Sequence, residues 1–201
     1  MPDPKTVYLA GPEVFLPDGM QIVVAKAKLC VQYGFKANIP SDNSIVIPRG
    51  AGPTEISRDI YKANVATMKS SDFGVFDLTP FRGHSADSGT VFELGLMTGL
   101  GKPVFGYTNV PGDYIDRIGL KQQVPDPNSP APANMLWRDS HGWHIENFGN
   151  ADNLMIDSAV ELGGAPMVRN FGGFPGRFED LAGFEQCLGQ AQAWFTKLPV
   201  S

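Results

Sequence analysis

The chain has 201 residues, 42% of them hydrophobic and 18% charged, a composition that supports one packed core and excludes a disordered polypeptide. Its formal net charge of -5 excludes non-specific binding to a nucleic-acid polymer, which needs clustered Lys and Arg. The two cysteines, Cys30 and Cys187, lack the close pairing of a zinc or redox motif and are expected as buried thiols.

The first residues lack the basic and apolar regions of a signal peptide, and no apolar stretch of about 20 residues could span a bilayer, so a cytoplasmic protein without a membrane partner is expected. Residues 5–10 predict a short strand, broken by Gly11-Pro12. Residues 20–33 predict a helix with Val23, Ala27, Cys30 and Val31 on one face, stopped by Gly34. A loop over 40–52 precedes a second helix at 53–71, where Ile56, Ile60, Ala63 and Thr67 share a face and Asn64 lies beside it.

Residues 72–78 predict a strand, 89–99 a helix and 104–107 another strand; helices at 153–162 and 178–198 follow. Such alternation implies parallel strands joined by right-handed crossovers: a doubly wound α/β sheet, flavodoxin-like or Rossmann-like, in three α/β/α layers. One domain over 1–201 is expected, with ligands beyond the C-terminal ends of the strands. The stretch 110–149 is rich in Pro, Asn, Asp and Gly and long for a structureless loop, so it is expected to be a lid or insertion, an extra hairpin or a subunit contact.

The densest polar cluster runs from Asp77 through Phe81 to Gly83 and from Asp87 through Gly89 to Glu93, joining a strand end to a helix start. Asp87 or Ser88 caps that helix, and the positive end of its dipole is expected to favour an ionised Glu93. An ionised carboxylate at the mouth of such a crevice suits attack on an anomeric carbon and formation of a glycosyl ester. The plainer reading is that Glu93 helps to cap its own helix.

Three blocks together resemble the nucleoside 2'-deoxyribosyltransferase family: Val7-Tyr8-Leu9-Ala10-Gly11-Pro12; residues 72–103, with Asp-Ser-Gly-Thr-x-Phe-Glu-Leu-Gly and then Gly-Lys-Pro-Val; and Asn153-Leu154-Met155. The likeness covers most of residues 5–162, and the middle block is its most specific part. It implies an enzyme that moves 2'-deoxyribose between nucleobases, with Glu93 as nucleophile, Tyr8 holding its carboxylate and Asp87 binding the sugar hydroxyls. It further implies deoxynucleoside and free-base substrates, no metal or other cofactor, and a homo-oligomer, dimer or hexamer, in which Asn153 and Met155 reach the neighbour's site.

Asn64 stands where some members carry an Asp facing the base, so proton delivery to the leaving base must use water or another group. Gly11, Phe15, Asp77, Phe81 and Gly89 complete the expected substrate-binding set, with Phe15 and Phe81 able to stack on a base. Trp137, Trp143 and Phe148 are further aromatic candidates, and His84, His141 and His144 lack metal-ligand spacing.

For each residue a structural role competes: core packing for Tyr8, a cap or turn for Asp87, a wet helix face for Asn64, and a helix cap at Asp152 or Asn153. A rival activity on the same scaffold is an N-glycosidase acting on deoxynucleoside 5'-monophosphates. The loop after the first strand carries two acids, Glu13 and Asp18, and no base, so it is expected to repel a phosphate. A non-catalytic nucleoside sensor is the alternative from a different class.

Overall fold

The computed structural model describes residues 3–38, 50–129, 134–171 and 178–197. Five parallel strands form the central sheet: β1 (Thr6–Ala10), β2 (Lys36–Asn38), β3 (Phe73–Asp77), β4 (Val104–Thr108) and β8 (Val168–Arg169), in the order β2-β1-β3-β4-β8. Between β4 and β8 in the chain, β5 (Lys121–Pro125), β6 (Met135–Asp139) and β7 (His144–Ile145) make a separate three-stranded antiparallel sheet. The helices are α1 (Gly19–Gln32), α2 (Pro53–Ser70), α3 (Ser88–Gly99), α4 (Leu154–Gly163) and α5 (Ala182–Lys197).

Side-chain alternation along β1 sorts the core into two layers. Val7 and Leu9 pack with Cys30 of α1 and with Phe184, Cys187 and Leu188 of α5; Tyr8 and Ala10 pack with Met68 of α2, Leu94 and Met97 of α3, and Ile156 and Val160 of α4. The result is the expected three-layer α/β architecture. Both cysteines are buried free thiols. Two helices end as the glycine signals predict. Gly34 (φ 78°) follows α1, with Phe35 N–H donating to the Cys30 carbonyl, and Gly101 (φ 70°) follows α3, with Lys102 N–H donating to that of Met97.

Three expectations change. The inward face of α1 is Ile22, Lys26 and Cys30, while Val31 is 71% exposed, because the charge of Lys26 is buried against carboxylates. The short edge strands β2 and β8 carry too few residues for a period-2 pattern. Finally, α5 begins at Ala182, where the Asp180 carboxylate accepts from the Ala182 N–H, and not at 178. Of the loop expected at 40–52, only residues 50–52 are among the described ones. No helix among the described residues is long and apolar enough to cross a membrane.

Candidate active site

The strand order reverses between β1 and β3, so the loops at their C-terminal ends leave the sheet towards opposite faces and open a crevice. Three elements deliver side chains to it. The Tyr8 hydroxyl, from β1, donates to Glu93 Oε1 of α3 at 2.7 Å, and Asn64 Nδ2, from α2, donates to the same oxygen at 3.4 Å. The ring of Tyr8 is fully buried among apolar neighbours, so its hydroxyl is held in place.

The helix-dipole expectation for Glu93 is corrected. Glu93 is the sixth residue of α3, beyond the first turn where the dipole field acts. Burial pushes its carboxyl up to about 7; the Tyr8 hydroxyl opposes this, Asp87 adds to it, Asn64 opposes it and Glu13 adds to it. Burial and the two nearby acids prevail, leaving a group divided between its acid and its carboxylate at neutral pH. Burial also raises Tyr8, reinforced by Glu93, so the phenol remains a donor.

The cap of α3 is Asp87, whose Oδ2 accepts from the Thr90 N–H at 3.0 Å and the Thr90 hydroxyl at 3.2 Å. Glu93 therefore takes no part in capping. Gly89 lies in the same first turn, where an added Cβ would stand 3.0 Å from Asp87 Oδ2. The segment ahead of the cap is fastened by buried Asp152, whose Oδ2 accepts from Ala86 N–H at 2.9 Å and whose Oδ1 accepts from the Ser85 hydroxyl at 2.5 Å.

At the mouth, Phe15 and Phe81 stack on one another with centroids 5.6 Å apart, and the Arg82 guanidinium lies 4.9 Å and 4.7 Å from their centroids. Arg82 has φ 56°, alone in the left-handed region among the described non-glycine residues. The expectation that the loop after β1 repels a phosphate is corrected on two counts. Glu13 turns inward onto Lys26, and Arg82 brings a cation over Phe15 from the neighbouring loop.

Asp77 lies beneath the crevice and not in it. It is fully buried, accepting from the Tyr107 hydroxyl at 2.8 Å and from Thr79 N–H at 3.0 Å, with Lys26 Nζ 3.8 Å away. Gly11 admits a neighbouring side chain: an added Cβ would stand 2.2 Å from Glu13 Oε2.

The sequence profile described as nucleoside 2-deoxyribosyltransferase matches residues 7–155, which takes in Tyr8, Asn64, Asp87 and Glu93. The chain belongs to this family. A 2-deoxyribosyltransferase from Leishmania mexicana superposes with a TM-score of 0.59 at 27% identity, over 92% of this chain and 98% of that one. An uncharacterised protein of Schizosaccharomyces pombe is 28% identical over 171 residues, covering 82% of this chain and 81% of its own. A conserved protein from Enterococcus faecalis V583 shares the fold, with a TM-score of 0.51 at 18% identity over 94% of this chain and 99% of that one.

Within this deoxyribosyltransferase-family chain, Asn153 and Met155 stand apart from the Glu93 cluster. Asn153 caps α4 by accepting from Met155 N–H at 3.0 Å and donates to Glu146 at 2.8 Å; Met155 is 71% exposed. Trp143 pairs with His141 on the antiparallel sheet, their ring centroids 5.1 Å apart. No cluster of three His, Cys, Asp or Glu suited to a metal occurs among the described residues.

Residues that sequence reasoning passed over are Lys26, Asp152 and the inward role of Glu13. Lys26 had a signal, since it interrupts an apolar i, i+4, i+8 track between Ile22 and Cys30. Asp152 had none, because its partners Ser85 and Ala86 are over 60 residues away in sequence.

Proposed function

We propose that this protein transfers 2'-deoxyribose between nucleobases through a covalent deoxyribosyl ester on Glu93. The observation that carries the reading is the Tyr8 hydroxyl held 2.7 Å from Glu93 Oε1. A neutral donor orients the carboxylate on one oxygen and leaves the other for attack. Ionised Glu93 forms an Oε–C1' bond as the C1'–N bond breaks; the bonding pair leaves on the base nitrogen, which takes a proton from water or another group. A second base then attacks C1' and releases the carboxylate, and two inversions give retention.

Asp87 is positioned to accept from sugar hydroxyls with the oxygen not committed to the α3 cap. Phe15 and Phe81 supply an aromatic wall with Arg82 behind it, suited to a base edge. The antiparallel sheet within 110–149 acts as an insertion beside the crevice. A homo-oligomer, dimer or hexamer, covers the exposed Ile60, Tyr61, Phe92 and Met155, with the cap of α4 carrying Asn153 towards the neighbour's site. This places the enzyme in cytoplasmic nucleoside salvage.

Incubation with deoxyinosine and adenine, followed by chromatography, tests the activity: deoxyadenosine and free hypoxanthine are the expected products. Hypoxanthine and free deoxyribose at a rate indifferent to adenine identify a hydrolase, and no release at all identifies a sensor. Glu93→Ala and Glu93→Gln are expected to lower exchange by several orders of magnitude with the fold intact. A slow fluorinated donor should leave its sugar on Glu93 in a peptide digest, and a label on another residue defeats the mechanism.

A further inference from the structure

On the sheet face opposite Tyr8 and Glu93 lies a buried charged group that transfer chemistry does not itself call for. Lys26 of α1 is 3% exposed, Glu13 is 4% and Asp77 is fully buried. Lys26 Nζ bonds the Glu13 carboxylate, lies 3.8 Å from Asp77 Oδ2, and sits over the rings of Tyr107 and Phe184 at 5.4 Å and 5.3 Å. Three buried ionisable groups are costly to fold, and an apolar set of similar volume is generally no worse for stability.

The backbone is shaped around Glu13. Its side chain occupies the space that a Cβ on Gly11 would fill, 2.2 Å from Oε2, and its carbonyl oxygen lies 1.8 Å from where a Cβ on Gly19 would stand. Glu13 belongs to the 3-10 turn Pro12–Phe15, so the same pair anchors the turn that presents Phe15. That turn leaves the C-terminal end of β1, two residues beyond the strand that carries Tyr8.

We propose that Lys26 and Glu13 are a positioning pair for the reaction, fixing the turn that carries Phe15 and setting the net charge beneath Glu93. With Asp77 the buried set carries one positive and two negative charges. Loss of the Glu13 charge leaves it neutral, and loss of the Lys26 charge leaves it doubly negative. The other groups facing Glu93 are the Tyr8 hydroxyl from β1, Asn64 from α2 and Asp87 at the cap of α3, and neither change touches them.

The proposal rests on the role of Glu93 given above, and one titration keeps the two separable. The carbon-13 signal of the Glu93 carboxyl, assigned by its disappearance in Glu93→Gln, reports ionisation whether or not Glu93 reacts. Glu13→Gln is expected to move its midpoint, and the acidic limb of kcat/KM, down by roughly half a pH unit; Lys26→Met is expected to move both up by a similar amount. The double variant, again singly negative, should return close to the wild type.

A purely structural pair would alter KM or thermal stability and leave the midpoint in place. If Lys26→Met fails to fold, Glu13→Gln decides alone. An unmoved midpoint in folded Glu13→Gln overturns the proposal even when trapping labels Glu93. A moved midpoint without any Glu93 adduct supports the charge-setting role and overturns the nucleophile.

Discussion

Tyr8→Phe removes one oxygen atom and little packing, since the ring is enclosed by Met68, Leu94 and Ile156 on its own side of the sheet. What disappears is the 2.7 Å hydrogen bond to Glu93 Oε1, a charge-assisted bond made to the carboxylate form. Such bonds contribute roughly 1.5–3 kcal/mol, equivalent to about 1–2 pH units of carboxyl ionisation. The sign is fixed: Tyr8 holds the carboxyl of Glu93 down, so its loss raises that group further above the present value of about 7.

At pH 7 the ionised fraction would fall from about one half to between roughly 10% and 1%, and kcat/KM would fall about 5- to 50-fold. A pH series of kcat/KM for deoxynucleoside donors separates this from general damage. The variant should lose activity at neutral pH and recover most of it near pH 9–10, its acidic limb displaced to about 8–9. A uniform loss at every pH, with the limb still near 7, would refute the claim that Tyr8 acts through the ionisation of Glu93.

Three further outcomes follow from the same geometry. Because burial raises Glu93 above its unfolded value of 4.5, its cost to stability is absent below pH 4.5, grows through pH 7 and is fully present above it. Glu93→Gln should therefore be more stable than the wild type at pH 8 by about 1–3 kcal/mol in urea, and this gain should vanish near pH 4. Gly19→Ala would drive a Cβ against the Glu13 carbonyl, a backbone atom that cannot rotate away; a loss of about 1–3 kcal/mol is expected by thermal denaturation, and an unchanged melting temperature would show that the α1 start tolerates displacement. Asp152→Asn exchanges one acceptor oxygen for a donor facing Ser85 and Ala86, so about 1–3 kcal/mol of stability and part of the activity should be lost, while a variant matching the wild type in both would show that the 85–87 segment holds without it.

Local sequence carried far in this protein where the signal repeats at short range. The β-branched and aromatic run of β1, the period of α3 and the glycine stops at Gly34 and Gly101 are each settled by neighbours in the chain, so the alternation of strands and helices, and the doubly wound sheet, follow from them. The run from Asp87 to Glu93 likewise marks a strand end, a cap and a carboxylate within one short segment. The tertiary structure decided what depends on long-range proximity. It alone brings Tyr8, Asn64 and Glu93 to a single oxygen, raises that carboxyl by burial against the expected pull of the helix, and turns Glu13 away from the crevice onto Lys26. Burial and electrostatic coupling act through space between residues as far apart as 8 and 93, and no local pattern encodes them.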